Sequence, residues 1–292
     1  MTIYETLEDA IKAIAGDMAK IKSKTRMRGG DINEAFLLEL SDGQKVFMKT
    51  NSLSAKGMFG AEVIGLESLR STKAIGIPKV LALGTDEQKE IAFLILEYLT
   101  GMPNTNYWED FGHELAMMHT ASQSTIKFGF PQNNYIGSTV QRNEEKKSWA
   151  EFYRENRLVP QIVMANRHFD MATRNKFDKL LDKLDDILRK PAFSSILHGD
   201  LWSGNVTCGP NGKAYLIDPA VYIGDYETDY AMTELFSRFP EVFYDAYNEV
   251  NPLEPGYIER RPVYHLYHML NHLNLFGKVY LEEVKNILNT LV

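Results

Sequence analysis

The octapeptide His198-Gly199-Asp200-Leu201-Trp202-Ser203-Gly204-Asn205 sets an aspartate five residues ahead of an asparagine. A kinase catalytic loop uses that spacing: its aspartate takes the proton of the attacking hydroxyl and its asparagine holds magnesium. Thirteen residues after Asn205, the strand-like run Ala214-Tyr215-Leu216-Ile217 delivers Asp218 into Asp218-Pro219, so that a hairpin returns a second carboxylate to the side of the loop. Magnesium takes hard oxygen donors and keeps waters and nucleotide phosphates in its shell, so Asn205 and Asp218 suffice as its protein ligands. The reading is Asp200 as catalytic base, with Asn205 and Asp218 as the metal pair.

Working upstream, the chain offers what such a loop requires. Glu34 to Leu40 and Lys45 to Thr50 flank Ser41-Asp42-Gly43-Gln44, whose Asp-Gly pair is hairpin chemistry, and this puts Lys49 near the end of a strand. Gly29-Gly30 gives a glycine turn between strands, where a backbone can close over phosphates. From Met58 to Arg70, Phe59, Leu66 and Leu69 recur at helical spacing; Glu62 lies on that apolar stripe and Glu67 lies off its centre. A carboxylate on a buried face needs a partner, and Lys49 is the one at hand, so Glu62 is preferred over Glu67. Leu96-Glu97-Tyr98-Leu99 ends the strand that starts at Ile91 and leads to a linker at Thr100-Gly101-Met102-Pro103, offering backbone groups to an adenine edge. The division predicted is 1–99 for a nucleotide-binding lobe and 100–292 for a mainly helical lobe. The latter carries helices over Trp108–Met118, Trp149–Arg167, Asp170–Leu188, Tyr230–Phe236 and Pro262–Phe276, and an irregular stretch from Gly129 to Asn143.

Composition narrows the class. The chain has 292 residues, 44% of them apolar, with 15 phenylalanines, 15 tyrosines and three tryptophans, enough for a sizeable core and incompatible with wholesale disorder. A single cysteine, Cys208, can form no intrachain disulfide, which suits a reducing compartment and a cytoplasmic location. The longest apolar run, Ile91 to Leu96, falls far short of the ~20 residues that cross a bilayer, and the N-terminal Ile3, Leu7, Ile11 and Ile14 pattern is that of an amphipathic helix. A net charge of −7 argues against a general nucleic-acid binder. One local exception is Lys20, Lys22, Lys24, Arg26 and Arg28, which alternate with other residues and so share one strand face: either a solvated outer face or a phosphate-facing one.

These stretches resemble the fructosamine kinase (ketosamine 3-kinase) family of aminoglycoside-phosphotransferase-like kinases. The likeness runs through Gly29-Gly30-Asp31-Ile32-Asn33, Val46-Phe47-Met48-Lys49, Met58-Phe59-Gly60-Ala61-Glu62, His198 to Asn205 and Asp218-Pro219. It continues in Asn134-Tyr135-Ile136-Gly137 with Gln141 and Asn143, Trp149 to Tyr153, and Tyr267 to Asn274, so it spans nearly the whole chain. The resemblance implies an α+β, two-lobed protein-kinase-like fold: a small N-lobe with an antiparallel sheet and one key helix, and a larger, mainly helical C-lobe. It implies ATP and Mg2+ as cofactors and phosphorylation of a sugar hydroxyl, at carbon 3, of a ketosamine such as ribulosamine or fructosamine, carried as a small-molecule ketoamine or on a glycated protein lysine. The phosphorylated adduct then falls apart, which serves deglycation. Asp31 departs from the pattern, because a carboxylate beside phosphates repels them unless it points away.

A ketoamine has several hydroxyls and a cationic amine, so its pocket calls for amides and hydroxyls with carboxylates or aromatic faces. Asn134, Gln141 and Asn143, with Asp225, Glu227, Trp202, His268 and His272, are therefore expected to converge on the cleft opposite the nucleotide. Plain core packing is an equal reading of Trp202. Asp229, just before an apolar run, reads as a helix cap, and His119 as a hydrogen-bonded core histidine. His268 and His272 have the spacing of a zinc pair, but Met269 stands where a zinc hydrolase helix needs glutamate. Two other classes stay in view: a kinase of the same fold acting on an aminoglycoside, choline or a free sugar, and a nucleotide-binding pseudokinase, which should have lost the base or a metal ligand.

Overall fold

Asp42 and Gly43 make the first hairpin: the Gln44 amide donates to Asp42 Oδ1 at 2.9 Å, and Gly43 takes a φ of 88°, where a side chain would be strained. The computed structural model describes residues 2–27, 32–121 and 127–292. In chain order, β1 (Ile3–Tyr4), α1 (Leu7–Ala15), β2 (Ile21–Met27), β3 (Glu34–Leu40), β4 (Lys45–Ser52), α2 (Lys56–Ser71), β5 (Val80–Asp86) and β6 (Ile91–Glu97) build the small lobe. Its strands form one sheet in the order β1-β5-β6-β4-β3-β2. The sheet is mixed where an antiparallel one was expected: β1 runs parallel to β5, and the other described pairs are antiparallel.

Strand alternation splits the sheet between two cores. Phe36, Leu38, Val46, Met48, Phe93 and Ile95 face α1, which the Thr6 side chain caps by accepting from the Asp9 amide. Ala92, Leu94 and Leu96 face the other way, with Phe59, Val63, Leu66 and Leu69 of α2, and that core continues into the large lobe. Lys49, one residue from Met48, is thereby aimed at α2 and the space between the lobes. The edge strand β2 is exposed; Lys22 pairs with Glu39 at 2.8 Å, Arg26 with Glu34 at 3.1 Å, and Lys24 lies over the Phe36 ring. Of the two readings of this basic strand, the described cations fit the solvated face; Arg28 lies outside the described residues.

The large lobe begins with α3 (Tyr107–Thr120), followed by a hairpin of β7 (Asn134–Ile136) and β8 (Thr139–Gln141) inside the stretch expected to be irregular. The helix predicted over Trp149–Arg167 is broken into α4 (Trp149–Phe152), a wider π-turn (Tyr153–Leu158) and α5 (Val159–Ala165). The π-turn carries Arg157, which is fully buried between the rings of Phe152 and Tyr222. Then come α6 (Met171–Ile187), β9 (Ser195–Leu197), β10 (Val206–Cys208), β11 (Ala214–Leu216), β12 (Tyr222–Gly224), α7 (Glu227–Leu235), α8 (Glu241–Val250), α9 (Tyr257–Phe276) and α10 (Leu281–Leu291). Aromatic packing joins α3 to α8, with the Phe111 and Phe243 ring centres 4.9 Å apart. Among the described residues, no helix is long and apolar enough to cross a membrane.

Candidate active site

The loop that carries Asp200 lies between β9 and β10, and its shape is set from behind by one carboxylate. Asp229 Oδ2 accepts from the His198 amide at 2.6 Å and Oδ1 from the Gly199 amide at 2.8 Å, while His119 Nε2 sits 3.2 Å from Oδ2. Burial opposes ionisation of Asp229, but these donors prevail and hold its pKa below the usual carboxylate range. Asp229 is thus not the helix cap that its position before an apolar run suggested. It lies in the first turn of α7 and serves another segment, which no local signal reveals; His119 is buried and hydrogen-bonded, also to Tyr247 at 2.7 Å. Gly199, at φ 83°, lets the loop pass so close to the Ala220 carbonyl that a Cβ would lie 2.1 Å from it.

The His198 ring bridges the backbone at Ile217 and at Asp200. Its Nε2 lies 2.8 Å from the Ile217 carbonyl, and its Nδ1 accepts from the Asp200 amide at 3.3 Å. Burial lowers its pKa, and this pair of contacts suits the neutral ring protonated at Nε2. The hairpin β10–β11 forms, with Val206 opposite Leu216, and carries Asp218 back to the loop. Asp218 has a φ of 55°, an uncommon left-handed backbone directly before Pro219.

In the cleft, Lys49 Nζ meets Glu62 Oε1 at 2.6 Å and also contacts Asp218, while Glu67 lies beside Arg70 at 3.6 Å. Burial disfavours the Lys49 charge, yet Asp218 and Glu62 outweigh it and hold its pKa above the ordinary lysine value. Burial raises the Glu62 pKa against the pull of Lys49. Asn205 Nδ2 donates to the Asp200 carbonyl at 2.8 Å and to Asp200 Oδ2 at 3.1 Å, which leaves its amide oxygen as a donor to a cation. Burial pushes the Asp200 pKa up to about 7, against the Asn205 hydrogen bond and with the nearby Asp218 charge. One ammonium against several carboxylates leaves the cleft short of positive charge, and with Asp218 46% exposed, the oxygen donor set fits magnesium.

A cavity of about 780 Å³ joins these groups. Its walls include Lys49, Glu62, Asp200, Asn205 and Asp218, the segment Glu97-Tyr98-Leu99 on one side, and Trp202, Asn134 and His272 on another. The Glu97 carboxylate itself turns back to accept from the Lys79 amide at 3.1 Å. Gly29, Gly30 and Asp31 lie outside the described residues. Trp202, Phe236, His272, Phe276 and Tyr280 form a connected aromatic rim, with Trp202 37% exposed.

Several expected substrate contacts are elsewhere. Gln141 and Asn143 are buried away from the cavity wall: both donate to Asn134 Oδ1 at 2.9 Å, Gln141 also donates to the Ala220 carbonyl, and Asn134 donates to the Val221 carbonyl. These amides pin the β7–β8 hairpin to the chain just beyond Asp218-Pro219. Asp225 and Glu227 are also not in the cleft, because two guanidiniums claim them: Arg189 grips Asp225 at 2.6 and 2.7 Å, and Arg260 grips Glu227 at 2.6 and 2.8 Å. His268 does not form a cavity wall; it is buried behind Asp200, with Nδ1 3.7 Å from Oδ1. Among the described residues, no group of three or more His, Cys, Asp or Glu side chains is arranged to hold a metal.

Comparison with known proteins identifies the family. The family model described as fructosamine kinase matches residues 3–292. A protein named as a probable ketoamine kinase in Synechocystis sp. is 38% identical over 98% of this chain and 95% of its own, and a chloroplastic protein-ribulosamine 3-kinase of Oryza sativa subsp. japonica is 35% identical over 94% and 80%. The crystal structure of a protein assigned as a fructosamine-3-kinase from Haemophilus somnus superposes with a TM-score of 0.87 at 30% identity, covering 99% of this chain and 98% of that one. With its two-lobed α+β kinase-like fold, this chain belongs to the fructosamine kinase family and is a phosphotransferase.

Proposed function

We propose that the protein transfers the γ-phosphoryl group of ATP to the carbon-3 hydroxyl of a ketosamine, ribulosamine or fructosamine, and so serves deglycation. The observation that carries the reading is the convergence of Lys49, Glu62, Asp200, Asn205 and Asp218 on one cavity that also has an open aromatic rim. Asp200 takes the proton as the acceptor oxygen bonds to the γ-phosphorus; the bond from that phosphorus to the bridging oxygen breaks, and its electron pair leaves with ADP. Lys49, held by Glu62, steadies the phosphates. Asp218 and Asn205 would hold Mg2+, which when bound offsets the charge on the transferring phosphoryl group.

Residues 1–99 form the nucleotide-binding lobe and 100–292 the lobe that supplies base, metal ligands and substrate contacts. In this reading the backbone of Glu97, Tyr98 and Leu99 meets the adenine edge, Gly29 and Gly30 belong to the nucleotide site, and Trp202 and His272 face the ketoamine with Asn134 behind them. The aromatic rim takes over the cation recognition for which Asp225 and Glu227 are too deeply paired. A cytoplasmic site of action and substrates that include glycated protein lysines complete the reading; the name of the rice relative supports a ribulosamine acceptor.

The test is ATP turnover on ribulosamine, fructosamine, choline, an aminoglycoside and the free sugars, with the phosphate located by NMR in any product. The reading expects a ketosamine to be preferred by at least about 100-fold in kcat/KM, since a site built around hydroxyls rejects acceptors that leave them unpaired. Equal turnover of a non-ketosamine, or phosphate on another carbon, overturns it.

A further inference from the structure

Asp200 has two carboxylate oxygens and only one described anchor for them. Asn205 Nδ2 holds Oδ2 at 3.1 Å; facing Oδ1, at 3.7 Å, is Nδ1 of His268, one of the few buried side-chain nitrogens without a hydrogen-bond partner among the described residues. That distance is too long for a hydrogen bond, and an orphaned buried donor is costly to keep. Catalytic hydrogen bonds are often long in a free enzyme and tighten when substrate binds.

The ring has little freedom. His268 sits on α9, only 4% exposed, in edge contact with the Tyr267 ring at 5.1 Å, and its own carbonyl accepts from His272 Nδ1 at 2.9 Å. Burial, with His272 and His265 nearby, lowers its pKa to about 3, so it is a neutral imidazole and does not compete with Asp200 for the proton. A bare Nδ1 lone pair aimed at a carboxylate oxygen would repel it, which selects the tautomer with hydrogen on Nδ1.

We propose that His268 is a positioning residue for Asp200: its Nδ1–H closes onto Oδ1 and, with Asn205 on Oδ2, fixes the rotation of the carboxylate toward the acceptor hydroxyl. The proposal rests on Asp200 being the base and is indifferent to which acceptor the enzyme prefers.

Three replacements of one residue test it. In His268→Asn the amide nitrogen can take the place of Nδ1; in His268→Gln it reaches the place of Nε2; His268→Leu fills the space with no donor. Turnover should fall about 10- to 100-fold in His268→Leu and His268→Gln, the usual cost of losing an orienting partner, and return to within a few-fold of wild type in His268→Asn. The KM for Mg-ATP and the thermal shift it produces should stay unchanged in all three. Full kcat in His268→Leu, or rescue by Gln equal to rescue by Asn, overturns the proposal; if the Leu protein does not fold, the Asn–Gln contrast still decides. The assay uses whichever acceptor the wild type turns over, water included. Failure on ketosamines alone therefore sinks the substrate assignment, and failure of the Asn–Gln order sinks His268.

Discussion

Around the cleft, one ammonium, Lys49, faces the carboxylates of Glu62 and Asp218 with Asp200 nearby, whereas under α9 two guanidiniums, Arg189 and Arg260, close on Asp225 and Glu227 with the half-exposed Glu254 at the rim. Both clusters take charge out of water, which stabilises a fold only where each charge is matched and hydrogen-bonded. Under α9 the matching is complete and bidentate, and the Tyr226 ring also lies against Arg189. In the cleft it is left incomplete: Asp200 has no cation beside it, and burial, with the Asp218 charge adding to it, raises its pKa. A closed cluster holds the chain together; an open one keeps charge available to a ligand at a cost in stability.

Asp200→Asn gives the sharpest break between them. It should lower turnover about 10²- to 10⁴-fold, the range for a positioned general base, while the Mg-ATP thermal shift stays near wild type; unchanged turnover would remove Asp200 from the chemistry. The closed cluster should behave the other way round. Glu227→Ala strands Arg260 in a buried site and should cost about 3–5 kcal/mol in urea unfolding, with the specific activity of the folded fraction little changed. A loss of activity without a loss of stability would show that the second cluster serves the site after all.

The smallest effect separates the two clusters by pH. The folded-state pKa of Asp200 is raised to about 7 from an ordinary 3.8, so between those values the folded chain binds the extra proton. This group's contribution to stability therefore falls as pH rises through that window. In metal-free protein, Asp200→Asn should raise Tm by roughly 2–4 °C at pH 8, and the gain should vanish near pH 4. A gain independent of pH would place the effect outside the Asp200 charge.

The residues that meet in the cleft are more legible in the sequence than their surroundings. Asp200, Asn205 and Asp218 were legible because loop chemistry binds residue types to a short spacing, and Glu62 because helical periodicity tells a buried face from an exposed one. Asp225 and Glu227 were misplaced because their partners, Arg189 and Arg260, lie 36 and 33 residues away, and nothing local distinguishes a carboxylate awaiting a ligand from one already paired. Gln141 and Asn143 were misplaced for the same reason: their amides answer backbone carbonyls and side chains that only the fold brings near. The π-turn at Tyr153–Leu158 hid inside an ordinary helical pattern, since one extra residue in a turn changes which side faces inward without changing the composition.

The carboxylate of Asp229 also bears on how the protein is made. It is synthesised about thirty residues after the backbone amides it holds, and its other partner, His119, is 110 residues before it. A chain synthesised only as far as Asn205 already contains Lys49, Glu62 and Asp200, yet the loop that presents Asp200 lacks the group that gives it shape. The ordered Asp200 loop is thus a late product of biosynthesis, and chains truncated before residue 229 and freed from the ribosome should expose the His198–Asn205 segment to protease while chains long enough to pack α7 and α8 against α3 should protect it.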